Sequence, residues 1–206
     1  IAAAGDINAG GAVSFGAAKA GTLTTSGDIV TSNDNITFTR AVTLGGNVDI
    51  DTTGGSAGNI LFSSTIATGG NNLTLDAGTA GNVTLSGALT GGGVMTVTDG
   101  AVQSYAVLTV DSLTISDATT SVTLGGALTA DGAVDIDSGG TIAINAAINT
   151  NSSASGTVAI DGTGTTTIAA AGDINAGGAV SFGAAKAGTL TTSGDIVTSN
   201  DNITFT

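Results

Sequence analysis

The sequence predicts an all-β chain folded as a right-handed parallel β-helix, a solenoid with about 21 residues per coil and eight coils per repeat unit. Three observations predict it: a long internal repeat, a composition of strand and turn formers, and short apolar triplets at regular spacing. Residues 1–39 recur letter for letter as residues 168–206, at an offset of 167. Self-similarity at a fixed period is typical of repeat architecture.

The repeat divides the chain into one full unit, residues 1–167, and the start of an identical unit, residues 168–206. We expect residues 1–206 to form a single continuous β-helix and to be a window on a longer tandem array. Neither end resembles a capping coil, so further copies of the same repeat are expected to stack end to end on both open ends. The two copies are expected to superpose by a translation of about 38 Å with a small rotation.

The composition favours short strands joined by turns. Thr, Val and Ile fit pleated surfaces, while Asn, Asp and the 34 Gly residues fit turns. Hydrophobic residues make up 41% of the chain, which is enough to form a core. The sequence therefore indicates an ordered all-β fold.

The charge balance is strongly acidic, with a formal net charge of −13 and only three basic residues. This argues against binding nucleic acid or an anionic membrane by charge. No apolar run approaches the roughly 20 residues of a membrane span, so we expect no membrane insertion. Lys19 and Arg40 are expected to pair with outward Asp residues on neighbouring coils.

Apolar–small–apolar triplets, such as Val42–Leu44, Val83–Leu85 and Val134–Ile136, recur along the chain. This alternation is typical of strands with one buried face. The residues expected to point inward are Phe15, Phe38, Leu44, Ile50, Phe62, Leu75, Leu85, Val97, Leu124, Ile136, Ile144, Ile160 and Phe182.

The spacing of the triplets gives the coil length. Equivalent positions are assigned to Leu23, Leu44, Phe62, Leu85, Leu124, Ile144, Ile168 and Leu190. Successive members lie 18 to 24 residues apart, apart from one step of 39 that is interpreted as two coils. One stretch is irregular: residues 101–124 contain no Gly but hold the sole Gln and the sole Tyr. It is interpreted as a coil with a different corner, with a local contact site as the alternative.

Three segments resemble a known class of protein: GGNVDIDTTGGSAGNILFSS (45–64), NVTLSGALTGGG (82–93) and AGDINAGGAVSF (4–15). They are similar to the repeat regions of large secreted bacterial β-helix exoproteins, namely filamentous-haemagglutinin-type adhesins and giant β-strand-repeat surface proteins. The resemblance extends over the whole chain and implies an extracellular or cell-surface location and a stalk or fibre role. The secretion and receptor-binding domains of those proteins are not matched, so no functional residues carry over.

The residues needed for catalysis are mostly missing. The chain has no His, Cys or Glu, which removes the usual general bases and the Ser–His–Asp and Cys–His arrangements. We therefore expect no catalytic residues, no enzyme activity and no organic cofactor.

The candidate metal ligands are two pairs of Asp residues at i, i+2, Asp49 with Asp51 and Asp135 with Asp137. Each pair projects from one face of its strand, and the carboxylates together with neighbouring oxygens would suit weak binding of calcium. The alternative is a solvated acidic face. The SNDN segment at 32–35 and 199–202 also has the composition of a calcium loop, but Asx-turns and a corner ladder of amides explain it better.

Two functions from different classes follow. The first is a structural extracellular fibre or stalk made of tandem identical β-helical repeats. The second is an adhesin module that recognises glycan or protein on a host or neighbouring-cell surface through its lateral face, helped by calcium. The low aromatic content of 3% favours the first, because sugars are commonly bound by exposed aromatic rings.

Overall fold

The computed structural model describes residues 1–16, 21–53, 58–150, 155–183, 186 and 188–206, and within them it contains strands and no helix. The strands of the first half are β1 Ile7–Ala9, β2 Val13–Phe15, β3 Leu23–Thr25, β4 Ile29–Thr31, β5 Ile36–Phe38, β6 Val42–Leu44, β7 Val48–Asp51, β8 Ile60–Phe62, β9 Ile66–Ala67, β10 Leu73–Asp76, β11 Val83–Leu85, β12 Leu89–Thr90 and β13 Val94–Tyr105. The strands of the second half are β14 Leu108–Val110, β15 Ser112–Leu124, β16 Leu128–Ala130, β17 Val134–Ser138, β18 Thr141–Ile144, β19 Ile148–Thr150, β20 Val158–Gly162, β21 Thr165–Ile168, β22 Ile174–Ala176, β23 Val180–Phe182, β24 Thr189–Thr192, β25 Ile196–Thr198 and β26 Ile203–Phe205.

These strands form three parallel ladders, which we name face 1, face 2 and face 3 in the order in which each coil visits them. Face 1 consists of β1, β4, β7, β10, β13, β15, β17, β20, β23 and β26. Face 2 consists of β2, β5, β8, β11, β13, β15, β18, β21 and β24. Face 3 consists of β3, β6, β9, β12, β14, β16, β19, β22 and β25.

The predicted fold class is confirmed: the chain is a parallel β-solenoid whose coils repeat at roughly 22 residues. Along each face, partner residues on adjacent coils are 18 to 26 residues apart in sequence. Such coils can vary in length because the variation is absorbed at the corners while the ladder register is kept.

Apolar residues from all three faces fill the interior. Of the thirteen residues expected to point inward, twelve are buried and Phe15 is half-buried on the first coil of face 2. On this face the ring of Phe38 stacks between Phe15 and Phe62, at centroid distances of 5.0 and 4.3 Å. In-register stacking of this kind follows from parallel pairing, which places each inward side chain over its partner about 4.8 Å away.

Amide side chains tie successive coils together at the corner between faces 1 and 2. The Oδ1 of Asn35 accepts a hydrogen bond from the backbone N–H of Asn59, and the Oδ1 of Asn59 accepts one from Asn82, both at 2.8 Å. The Oδ1 of Asn82 accepts the next from the N–H of Val102 at 3.1 Å. This is the predicted corner ladder of amides, and Asn35 of the SNDN segment begins it.

The two unusual side chains of the irregular stretch 101–124, Gln103 and Tyr105, belong to the core. Strands β13 and β15 run through the corner between faces 1 and 2 without a break. Tyr105 and Gln103 are fully buried, and the hydroxyl of Tyr105 donates to Oε1 of Gln103 at 2.7 Å. The Nε2 of Gln103 donates to the carbonyl of Asp117 at 3.1 Å. The contact-site alternative for these two side chains is therefore wrong, and the 39-residue step does contain two coils, with Tyr105 between Leu85 and Leu124 on face 2.

Some of the positions assigned as equivalent lie on different faces. Leu23 and Leu44 belong to face 3, where they are also out of register by two residues, since Leu23 pairs with Val42. Phe62 and the later members belong to face 2, and Leu190 pairs with Thr166. The assignment was wrong because apolar–small–apolar triplets occur on all three faces, and their sequence does not distinguish one face from another.

The two identical segments have the same local structure. Their equivalent strand pairings are Ile7 with Ile29 and Ile174 with Ile196, and Val13 with Ile36 and Val180 with Ile203. The Oγ1 of Thr31 donates to the carbonyl of Asp34 at 2.6 Å, and the equivalent bond from Thr198 to Asp201 is 2.7 Å long. Sequence identity is thus matched by identical coil-to-coil contacts.

The strands of the second copy nevertheless lie on different faces of the solenoid from the equivalent strands of the first copy. Ile7 lies on face 1, whereas its equivalent Ile174 lies on face 3. Seven steps along face 1 lead from Ile7 to Ile160, and two more faces lead on to Ile174. One 167-residue unit therefore makes seven and two thirds turns, one face short of the predicted eight. The two copies are related by a rotation of about a third of a turn, so the predicted small rotation is wrong.

Candidate functional site

The four candidate metal ligands lie on the outer side of face 1, at two different positions across its width. Asp49 is exposed and pairs with Thr74 on the next coil. Asp135 is exposed and pairs with Thr114 on one side and Ala159 on the other. Asp28 lies opposite Asp49 on the preceding coil, and its Oδ1 accepts a hydrogen bond from the backbone N–H of Asp49 at 2.8 Å. Asp135, by contrast, has no carboxylate directly opposite it on either neighbouring coil.

Asp51 and Asp137 belong to a row of acidic residues that continues from coil to coil at the end of face 1. We name this row the acidic ladder, and its members are Asp51, Asp76, Asp99, Asp117, Asp137 and Asp161. It places one carboxylate on each of six consecutive coils, spaced by about 4.8 Å along the axis. The ladder was not predicted, because i, i+2 pairs within one strand are visible in the sequence and the register between coils is not.

The first three carboxylates of the acidic ladder accept local hydrogen bonds. The Oδ1 of Asp51 accepts from the backbone N–H of Thr53 at 2.6 Å, and the Oδ1 of Asp76 accepts from the N–H of Gly78 at 2.9 Å. The Oδ1 of Asp99 accepts from the N–H of Gly100 at 3.0 Å. The contacts of Asp51 and Asp76 are the Asx-type contacts that Asp commonly makes in turns. Burial nevertheless raises the pKa of Asp99, although the hydrogen bond from Gly100 lowers it.

The last two carboxylates differ from the first three. Asp137 and Asp161 are register partners on adjacent coils, and the Oδ1 of each is buried and has no hydrogen-bond partner among the residues that the structure describes. Asp161 as a whole is only 6% exposed. A buried, unpartnered carboxylate oxygen is costly because it has lost water without gaining a donor.

The electrostatics of the acidic ladder follow from this packing. Burial raises the pKa of Asp137, the nearby Lys186 lowers it, and the charges of Asp135, Asp161 and Asp117 raise it further. Burial and the charge of Asp161 raise the pKa of Asp135. Asp137 therefore holds a proton more tightly than in the unfolded chain, and its charged form lowers the stability of the fold at neutral pH. The same effect is weaker at Asp135, because its side chain is exposed and its charge is screened by solvent.

The candidate metal sites are only partly assembled. In the ranges that the structure describes, no three acidic side chains are grouped closely enough to enclose a metal ion by themselves. The SNDN segment forms a turn in which Asn33 adopts a left-handed φ of 70°. Within the described ranges Arg40 makes no ion pair with an Asp: its Nε and one guanidinium nitrogen donate to the carbonyl of Gly21, at 3.1 and 2.7 Å. Lys19 lies outside the described residues.

Comparison with known proteins adds no assignment. Neither the protein-family models, nor the curated proteins, nor the solved structures contain a match to this chain. Within the described ranges there is also no helix of the length and apolarity needed to cross a membrane.

Proposed function

We propose that the chain is a segment of an extracellular structural fibre or stalk, built from tandem identical units and without a catalytic role. The observation that carries this proposal is that the exact repeat of residues 1–39 as residues 168–206 is matched by the same coil-to-coil pairing on one continuous solenoid. Ile7 pairs with Ile29 as Ile174 pairs with Ile196, and Val13 pairs with Ile36 as Val180 pairs with Ile203. The fold therefore arranges identical segments one after the other along a single axis.

The interior contacts of the unit are of a kind that repeats along the axis. Phe38 is fully buried and stacks between Phe15 and Phe62, and Ile36 pairs with Val13 and with Ile60 on the coils on either side. Because each interior coil both covers one neighbour and is covered by the other, identical units can stack along one axis.

An extracellular location is supported by the resemblance to secreted β-helix exoproteins. A net charge of −13 on 206 residues is suited to solubility and to repulsion between neighbouring fibres. In this role the functional properties are length, stiffness and resistance to unfolding, all of which follow from continuous backbone pairing along the axis. No catalytic group is required.

The adhesin alternative receives less support from the structure. The aromatic rings of Phe15, Phe38 and Phe62 are stacked against one another inside face 2, and Tyr105 is buried. The described lateral faces therefore present no cluster of aromatic rings on which a sugar could stack.

The proposed function is tested by imaging chains of three and six tandem 167-residue units by electron microscopy. We expect unbranched rods of uniform width whose length grows by about 37 Å for each added unit, since each unit makes seven and two thirds turns at about 4.8 Å per turn. A chain of linked globules, or rods that end in a distinct head after one unit, would contradict the fibre.

A further inference from the structure

We propose that Asp137 and Asp161 together bind a divalent cation, with calcium as the ion that fits best. The site lies at the C-terminal end of the acidic ladder, on the corner between faces 1 and 2. This inference goes beyond the fibre function and does not depend on it, because both ligands belong to one unit.

The first argument is geometric. Asp137 and Asp161 are register partners on adjacent coils, so their backbones are about 4.8 Å apart and their side chains leave the same side of the strand. Two oxygens bound to one calcium ion, each at about 2.4 Å, lie within about 5 Å of each other. One carboxylate oxygen from each coil can therefore reach the same ion without a change in the backbone.

Second, one oxygen of each carboxylate lacks a hydrogen-bond partner among the described residues. The Oδ1 atoms of Asp137 and Asp161 are both buried and find no hydrogen-bond donor in the described part of the chain, whereas Asp51, Asp76 and Asp99, earlier in the ladder, each have one. A buried anion is stable only when it is paired or coordinates a metal. A cation between the two would satisfy both orphaned oxygens at once.

Third, negative charge is concentrated around Asp137 and Asp161. The charge of Asp161 acts on both Asp135 and Asp137, so three carboxylates concentrate negative potential at this point. Lys186 is the basic residue that acts on Asp137, and the two unpartnered oxygens show that it does not satisfy them. A doubly charged ion offsets this field more fully than one ammonium group does.

Calcium fits better than magnesium for two reasons. Calcium accepts irregular sets of six to eight oxygens at 2.3–2.6 Å, whereas magnesium requires a near-ideal octahedron. Asp137 is half-buried, so water has access to the site and can complete the shell that two carboxylates leave open. A site with so few protein ligands is expected to have a dissociation constant of about 0.1–1 mM.

The test is calcium binding to the 206-residue chain, measured by isothermal titration calorimetry and by thermal unfolding in calcium, in magnesium and in sodium chloride of equal ionic strength. At calcium concentrations about ten times the dissociation constant, we expect the melting temperature to rise by about 3–5 °C relative to sodium chloride. Magnesium is expected to give a smaller rise.

Matched variants locate the ion. Asp161→Asn and Asp137→Asn keep the shape of the side chain and are each expected to abolish the calcium-specific rise. Asp49→Asn is the control, since it removes the same charge from the same face at a position that pairs with Thr74. We expect this variant to retain the full rise.

Three results would overturn the proposal: no rise beyond that in sodium chloride, the same rise in Asp161→Asn and Asp137→Asn as in the parent chain, or loss of the rise in Asp49→Asn as well. The first and third would indicate general screening of the acidic surface. Because each can occur while the rods form normally, failure of the ion site is distinguishable from failure of the fibre.

Discussion

Replacing Phe38 by Ala is expected to lower the free energy of unfolding by about 3–5 kcal/mol. Phe38 is fully buried, and its ring stacks on both Phe15 and Phe62, so the change removes apolar contacts on two sides and leaves a cavity between coils. The surrounding ladder is held in register by backbone hydrogen bonds and cannot collapse into the space. The measurement is urea unfolding followed by circular dichroism.

Phe205, the equivalent of Phe38 in the second copy, provides a matched control. Phe205 is the same residue in the second copy but is 59% exposed, and it stacks on a single neighbour, Phe182. Phe205→Ala is expected to cost less than about half as much as Phe38→Ala, because an exposed ring has less contact to lose. Equal costs for the two substitutions would contradict the assignment of Phe38 to an interior coil.

Replacing Gly93 by Ala is expected to cost about 2–4 kcal/mol. Gly93 has a left-handed φ of +81°, and a β-carbon at this position would overlap the backbone carbonyl of Asn71 on the preceding coil. Both the conformation and the close approach of two coils therefore require Gly. The measurement is the same urea unfolding experiment.

Gly10→Ala is the control for the glycine prediction. Gly10 is exposed, and a β-carbon there would meet no atom within 4 Å. This substitution is expected to change the free energy of unfolding by less than about 0.5 kcal/mol. If Gly93→Ala proved as mild as Gly10→Ala, the close contact between the loop that contains Gly93 and Asn71 would be wrong.

The strand pattern and the fold class could be predicted from the sequence because both depend on local alternation. A triplet such as Ile36–Phe38 or Val83–Leu85 has one buried side wherever it lies in the coil, and the structure buries these residues. The face on which a triplet lies depends on how many residues each corner takes up. That number varies from coil to coil, so the sequence could not predict on which face the strands of the second copy would lie.

The same reason explains why the acidic ladder was not foreseen. The sequence shows Asp49 and Asp51 as one pair and Asp135 and Asp137 as another, which draws attention to residues within a strand. Only the register between coils separates the two members of each pair and places Asp137 opposite Asp161. Asp161 has no acidic neighbour at i−2, so no local pattern marked it as part of a site.

Identical units are expected to stack with a rotation of one face, a third of a turn, and this rotation can be measured from the helical symmetry of a tandem array. For rods of many 167-residue units, cryo-electron microscopy is expected to give a rise of about 37 Å per unit and a rotation close to a third of a turn. The same face would then recur only after three units, or about 110 Å. A rotation near zero, with one copy of Phe38 directly above the next on the same face, would contradict the account.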